Sequence, residues 1–323
     1  MRPFESFLAP QFEHYIHYRQ NMGYATRTLR SQLMMFDRYL KQSRIEPNQL
    51  QPAFFLRLRE KLPWEPRSVN RVFSTLRVFF QYLIRQGSCE QNPLQDVPAL
   101  QEWHYIPFVF SPRQIDQLLS AVCKRIRKDK AGFLKNCGIH LAVLLLARCG
   151  LRISEPLRLF RSHYRPGENT LYIEKTKFKK DRLIPIPQSV AMQIDNYLQL
   201  RKALLGDDRN PYLLAGINHK GFSTEQVRRA FHHAVKDIGL AGTRKTIANT
   251  TFASPTPHSL RHSYAINTLK RIKQQGKSPQ NALPVLAAYM GHSEYKHTVV
   301  YLKVLDAEHR QGLVNFVTSK GTI

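Results

Sequence analysis

Apolar residues return at three- and four-residue spacing through the first third of the chain, as one buried helix face requires. Leu29, Leu33, Phe36 and Leu40 form one such run. A second extends from Ser68 to Arg85, where Val72, Leu76, Phe79, Phe80 and Leu83 make a broad stripe and Arg67, Arg71 and Arg85 fall largely off it. Residues 1–98 therefore read as a small helical domain. The pattern breaks at Gln91-Asn92-Pro93 and again at Val97-Pro98, and residues 99–110 keep neither period beyond a short stretch from Tyr105 to Phe110, which predicts a linker. Ser111-Pro112-Arg113-Gln114 then supplies an N-cap serine, a proline at the first helical position and a glutamine at the third. A second domain, 111–323, is expected to open on that helix.

Within the second domain, Ile139 to Arg148 reads as a buried helix ending at Gly150, and Ile153 to Phe160 as another helix after a tight turn. Thr170 to Glu174 and Arg182 to Ile186 have strand character, and the lysine-rich segment between them predicts a hairpin with a basic tip. Pro255-Thr256-Pro257 interrupts the pattern ahead of an amphipathic run containing Tyr264, Ala265 and Leu269. The expected fold is mainly α: a helical N-terminal domain and a mostly α second domain carrying a small antiparallel β-sheet.

At 323 residues and 42% hydrophobic the chain has enough apolar material for two ordinary cores. Its charge points to a partner: 49 Lys plus Arg against 23 Asp plus Glu leave a net +26, and nucleic acid is the default counterpart of such a surface. Residues 1–100 hold only +6 of this, which places +20 on the rest. The longest apolar run, Leu141 to Ala147, is far below the roughly 20 residues of a membrane span, so no membrane association is expected. Met1-Arg2-Pro3-Phe4-Glu5 has no apolar signal region, and Cys89, Cys123, Cys137 and Cys149 have no metal-type spacing. A cytoplasmic protein with reduced thiols is expected.

Three constellations carry candidate chemistry. In Gly150-Leu151-Arg152-Ile153-Ser154-Glu155 a glycine ends one helix and an arginine, whose planar fork of donors matches two phosphate oxygens, follows it. Glu155 could equally make that arginine a plain salt-bridge partner. His258-Ser259-Leu260-Arg261-His262 puts a histidine and an arginine three residues apart, on one helical face, able to offer donors and a proton acceptor to one phosphate. A surface His/Arg pair is the bland alternative. Gly291-His292 precedes Tyr301 by nine positions, with Tyr289 and Tyr295 as rival nucleophiles and packing as the ordinary role of any of the three.

Taken in order, the Gly-Leu-Arg-Ile-Ser-Glu turn, the basic hairpin, His-x-x-Arg, Gly-His and the tyrosine nine positions on resemble the tyrosine recombinase (phage integrase) family. The resemblance covers the whole C-terminal domain, and the helical N-terminal part is similar to that family's SAM-like core-binding domain. It implies that Arg152 and Arg261 contact the nonbridging oxygens of a scissile DNA phosphate, that His258 and His292 supply hydrogen bonds and proton transfer, and that Glu155 supports Arg152. Tyr301 would attack, giving a 3′-phosphotyrosine and freeing a 5′-hydroxyl. Lys177, eight residues before Pro185, would be the general acid. Lys175, Lys179 and Lys180, with Arg67 and Arg71, would contact the DNA backbone.

The resemblance further implies a C-shaped clamp on double-stranded DNA and a homo-tetramer that exchanges strands between two sites through a Holliday junction, with a place for an accessory DNA-bending protein. Because the phosphotyrosine conserves the bond energy, no ATP, metal or other cofactor is expected. The chain departs from the simplest family members in an added stretch, Lys270 to Lys277, ahead of Pro279 and Pro284. Leu305, Leu313, Val314 and Phe316 give the tail apolar residues suited to docking on a neighbouring subunit or on its own domain. The alternatives are a type IB topoisomerase, with the same tyrosine chemistry, and a noncatalytic DNA-binding protein retaining the fold.

Overall fold

The computed structural model describes residues 2–127, 129–174, 181–206, 208–215, 221–292 and 294–302. The chain divides into two compact units, Met1–His104 and Tyr105–Ile323.

The first unit consists of α1 (Ala9–Asn21), α2 (Arg27–Ser43), α3 (Pro52–Lys61) and α4 (Pro66–Arg85). A proline stands in the first turn of α1, α3 and α4, where its missing N–H has no intrahelical partner to lose. The apolar stripe predicted on α4 is buried, and Val72, Leu76, Phe79, Phe80 and Leu83 pack with Phe12, Phe36 and Phe55 in one largely aromatic core. Phe55 and Phe80 meet edge to face, the favoured geometry for ring quadrupoles, at 5.6 Å. Arg67 and Arg71 emerge on the exposed side of α4, Arg67 within 3.8 Å of Glu102. Asn70 holds the following chain, donating to the Leu100 carbonyl and accepting from its N–H, both at 2.8 Å.

The second unit is built around α6 (Lys130–Cys149), which packs against α5 (Pro112–Lys124), α7 (Gln188–Leu205), α8 (Thr224–Asp237) and α9 (Pro257–Gln274). Its span Gly132–Cys149 is long and apolar enough to cross a membrane, but 67% of it is buried inside the unit, which is the use the fold makes of its hydrophobicity. The predicted start of α5 is a reciprocal capping box: Gln114 N donates to Ser111 Oγ at 3.2 Å and Ser111 N to Gln114 Oε1 at 2.9 Å. A last described helix, α10 (Pro279–Met290), lies against α9, and residues 296–302 are helical. Lys270 to Gln274, the start of the added stretch, continue α9, and Pro284 lies inside α10.

Two three-stranded sheets are present among the described residues, where the sequence suggested one. The expected hairpin pairs β3 (Thr170–Ile173) with β4 (Arg182–Pro185) antiparallel, Thr170 facing Pro185, and β2 (Tyr164–Arg165) joins its other edge. The second sheet has the order β1-β6-β5 and joins β1 (His104–Ile106) to a hairpin of β5 (Lys245–Ile247) and β6 (Thr250–Phe252). These strands are three residues each and mostly exposed, too short to show alternation in sequence. The helix expected over Ile153 to Phe160 is a single 3-10 turn at Pro156–Arg158. Phe160 pairs in an antiparallel bridge with Tyr212, and Leu159 accepts the Leu213 N–H at 2.8 Å, so the chain must be extended where a helix would have continued.

Candidate active site

Three helix boundaries converge in the second unit. Helix α6 stops at Gly150, whose φ of +60° is the left-handed cap conformation that glycine adopts without strain; a Cβ there would also stand 2.5 Å from the Tyr264 ring of α9. The turn that follows is closed by Glu155, whose carboxylate accepts from Arg152 N and Arg152 Nη1, both at 2.9 Å. Helix α9 starts beside it at Pro257, with Thr256 N donating to Ser259 Oγ at 3.1 Å, and so delivers His258, Arg261 and His262 within its first two turns. Helix α10 ends at Met290 with Gly291 at φ +64°.

Arginines gather on the end of α10. Arg182 Nε donates to the Tyr289 carbonyl at 2.8 Å, Arg261 Nη2 to that of Met290, and Arg152 Nη2 to that of Gly291 at 2.9 Å. Three guanidinium groups thus serve three consecutive carbonyls that the helix leaves unsatisfied, at the pole where its dipole is negative. Arg261 reaches back to the Gly150 carbonyl at 2.7 Å, tying the ends of α6 and α10 together, and is only 1% exposed. Glu155 supplies the counter-charge. Arg182 holds it in a fork, Nη2 to Oε2 at 2.9 Å and Nη1 to Oε1 at 3.2 Å, opposite the Arg152 contact. Burial works against ionisation of this carboxyl, but the Arg182 and Arg152 hydrogen bonds outweigh it and hold Glu155 below its ordinary range. Burial, then the neighbouring Arg152 charge, brings Arg261 down to about 10, which leaves it cationic at neutral pH.

Beside the arginines lies a group of aromatic rings. His258 and His262, one turn apart, meet edge-on at 4.6 Å; His262 is 5.7 Å and His292 6.1 Å from the ring of Tyr301. His292 Nδ1 is 2.7 Å from Thr298 Oγ1, which fixes the imidazole and leaves Nε2 facing away from that bond. Burial, reinforced by Arg261 and Arg152, depresses His258 to about 4 and His292 to about 3; burial and the two neighbours His258 and Arg261 bring His262 to about 3. All three are neutral imidazoles at pH 7. Tyr301 is 3% exposed and its phenol is raised by burial, with Arg261 and Arg152 pulling the other way. Of its rivals, Tyr289 stacks on Tyr264 and donates to the Pro185 carbonyl at 3.1 Å, a packing role, and Tyr295 is exposed.

Arg152, Glu155, His258, Arg261, His292 and Tyr301 are therefore brought together from positions up to 149 residues apart in sequence. Lys175, Lys177, Lys179 and Lys180, and the tail beyond Leu302, lie outside the described residues. Arg67 and Arg71 belong to the first unit. Three residues of this site had no role in the sequence reading. Arg182 looked like the first residue of a strand, Thr298 like an ordinary polar residue, and His262 like a neighbour of the motif. Among them only His262, beside Arg261, carried a signal.

A family profile described as the phage integrase family matches residues 109–308, and one for the phage integrase N-terminal SAM-like domain matches residues 10–87. The integrase/recombinase y4rE of Sinorhizobium fredii is 29% identical over 308 residues, which span 94% of this chain and 93% of that protein. Tyrosine recombinase XerD of Brucella suis is 27% identical over 247 residues, 75% of this chain and 73% of XerD. Among solved structures, a lambda integrase tetramer bound to a Holliday junction superposes with a TM-score of 0.63 at 18% identity, covering 89% of this chain and 77% of the integrase, and so shares its fold. With more than half of its length matched, the chain belongs to the phage integrase family and is a tyrosine-type site-specific DNA recombinase, an enzyme that breaks and rejoins DNA strands.

Proposed function

We propose that this recombinase cuts and reseals duplex DNA through Tyr301, and the observation that carries the reading is the meeting of Arg152, Arg261, His258 and His292 around that phenol. Arg152 and Arg261 each keep N–H groups beyond those donated to carbonyls and Glu155. A scissile phosphate seated there places its nonbridging oxygens against two fixed cations, which stabilise the charge that builds up in the pentavalent transition state. Glu155 keeps Arg152 oriented.

In the cleavage step Tyr301 Oη forms a bond to phosphorus as the bond to the 5′-oxygen breaks. The phenol proton passes to a neutral imidazole, His258, whose basicity rises from its depressed value once a phosphate anion lies beside it. His292, fixed by Thr298, donates or accepts at the phosphate through Nε2. Lys177 gives a proton to the leaving 5′-oxygen, and the reverse sequence reseals the strand. Because Tyr301 is 3% exposed, the segment 296–302 shifts to present its hydroxyl once DNA occupies the site.

Lys175, Lys179, Lys180, Arg67 and Arg71 contact the backbone, consistent with a net charge of +26. The domains run as 1–98 and 111–323 with the linker between them, and the protein works in the cytoplasm as a homo-tetramer on two DNA sites, with an accessory DNA-bending protein where the site requires one. The family's fold, seen in a lambda integrase tetramer on a Holliday junction, supports the tetramer.

The test is a nicked suicide duplex carrying the recombination site. The wild-type chain should accumulate a covalent protein–DNA adduct and Tyr301→Phe none. A persistent adduct in that variant removes Tyr301 as the nucleophile, and tight binding without an adduct in the wild type makes the chain a noncatalytic binder.

A further inference from the structure

We infer that Arg182 is a positioning residue of this recombinase, locking the strand that follows the lysine hairpin onto both Glu155 and the end of α10, and thereby setting the orientation of Arg152 and His292. The inference rests on the reading of the site given above and adds to it a residue that does not touch the phosphate.

The donor pattern of Arg182 supports this role. Its Nε serves the Tyr289 carbonyl and its two terminal nitrogens grip both oxygens of Glu155, so three of its donor atoms are engaged on two separate elements. Every nitrogen of its guanidinium is thus committed to an acceptor within the protein. Its partners, by contrast, are placed where their orientation matters. Glu155 uses the same two oxygens to fix the backbone and guanidinium of Arg152, and Tyr289 is three residues before His292.

Two further features fit. Arg182 is the first residue of β4, five positions after Lys177, so the contact fixes the near end of the segment that carries the proposed general acid. Gly291 accommodates it: a Cβ at that glycine would lie 2.9 Å from Arg182 Nη1 and 3.1 Å from its Cζ. The guanidinium occupies the space that any larger residue would need. A lysine could satisfy one of the three acceptors but has no planar fork with which to hold Glu155 by both oxygens while bonding Tyr289.

A buried ion pair is in general a poor source of net stability, so geometry is the better account of why one is placed here. That distinction is measurable. In the full-length chain, Arg182→Lys and Arg182→Gln should each slow single-turnover formation of the covalent adduct by about tenfold or more, with DNA affinity within about twofold of wild type. Lys should recover only a small part of the loss. Hydrogen exchange, read by mass spectrometry on DNA-free protein, should quicken in segments 150–156 and 287–292 together. The double variant with Glu155→Gln should lose less than the product of the two single losses, since the part of the effect that reaches Arg152 runs through one shared contact.

Unchanged exchange in those two segments overturns the proposal, as does a rate loss in the double variant equal to the product of the single losses. Failure of the tyrosine chemistry is distinguishable, because it appears as absence of adduct in the wild type or its persistence in Tyr301→Phe, while the exchange measurement needs no cleavage. If Arg182→Gln does not fold, Arg182→Lys carries the same comparison.

Discussion

His292 Nδ1 and Thr298 Oγ1 lie 2.7 Å apart, joining the loop after α10 to the helical segment that bears Tyr301. The bond does two things at once. It leaves Nε2 as the imidazole nitrogen outside that bond, and under the proposed mechanism it makes the position of the histidine depend on the segment that would move to deliver the tyrosine. Thr298 is 0% exposed, so no water takes over if its hydroxyl is removed.

Thr298→Val keeps the shape and removes the hydroxyl. An unsatisfied buried polar group costs about 1–3 kcal/mol, and misorientation of His292 should reduce adduct formation on the order of tenfold, the equivalent of about 1.4 kcal/mol. Thr298→Ser should stay near wild type. Single-turnover cleavage of the three proteins at saturating DNA decides the matter; equal rates for Val and Thr would mean that this bond has no part in the chemistry.

Two glycines should separate stability from activity. Alanine at Gly150 or Gly291 takes on a left-handed backbone that costs about 1–2 kcal/mol. At Gly150 the new methyl also meets the ring of Tyr264 at 2.5 Å, within the packing of α6 on α9, so Gly150→Ala should chiefly lower the melting temperature. At Gly291 it meets the Arg182 guanidinium, so Gly291→Ala should chiefly lower the cleavage rate. Thermal unfolding and adduct kinetics on both variants test the contrast, and a proportional loss of both properties in Gly291→Ala would contradict it.

Acid should destabilise the fold before it removes the charge of the DNA. His258, His262 and His292 have folded values of about 4, 3 and 3 against an ordinary 6.5, so the unfolded chain takes up protons first. The stabilisation from keeping them neutral is complete above pH 6.5 and is lost as pH falls from there toward 4, at about 1.4 kcal/mol per pH unit for each histidine. Urea midpoints should be flat from pH 8 to 7 and drop between pH 6.5 and 5. The drop should be shallower in His262→Asn, which removes one of the three protons; a midpoint independent of pH down to 5 would show that the imidazoles protonate freely in the folded protein.

On the first unit, Arg71 stands exposed on α4 and is expected to meet phosphate. Arg71→Gln should weaken binding evenly across DNA sequences and reduce the slope of log affinity against log salt by about 0.9. Binding titrations between low and moderate salt measure it. A loss confined to one DNA sequence would make Arg71 a base contact instead.

What the sequence disclosed follows from how far each signal reaches. The α4 stripe, the Ser111 capping box and the β3–β4 hairpin are local patterns, set by residues a few positions apart, and they appear in the structure at the places expected. Arg152, His258, Arg261, His292 and Tyr301 could be picked out because their order along the chain was itself informative. Arg182 could not: it follows Lys179 and Lys180 and looks like one more basic residue of a hairpin, and its partners are Glu155, 27 residues upstream, and a main-chain carbonyl. Thr298 is hidden for the same reason, since its bond to His292 forms only once the chain turns after α10. The expected Ile153 to Phe160 helix failed on a tertiary contact, the bridge from Phe160 to Tyr212, that overrides local preference.

The arginines at the end of α10 read main chain, not side chains. Carbonyls are supplied by every amino acid, so residues 289 and 290 can drift as their own packing allows without withdrawing an acceptor from the site. Mutational tolerance and catalytic constraint are thereby separated within one short stretch. A library randomised at 288–291 should return varied residues at 288, bulky apolar or aromatic residues of more than one kind at 289 and 290, where the side chains pack, and glycine at 291, so that the stretch evolves as a conserved shape more than as a conserved word.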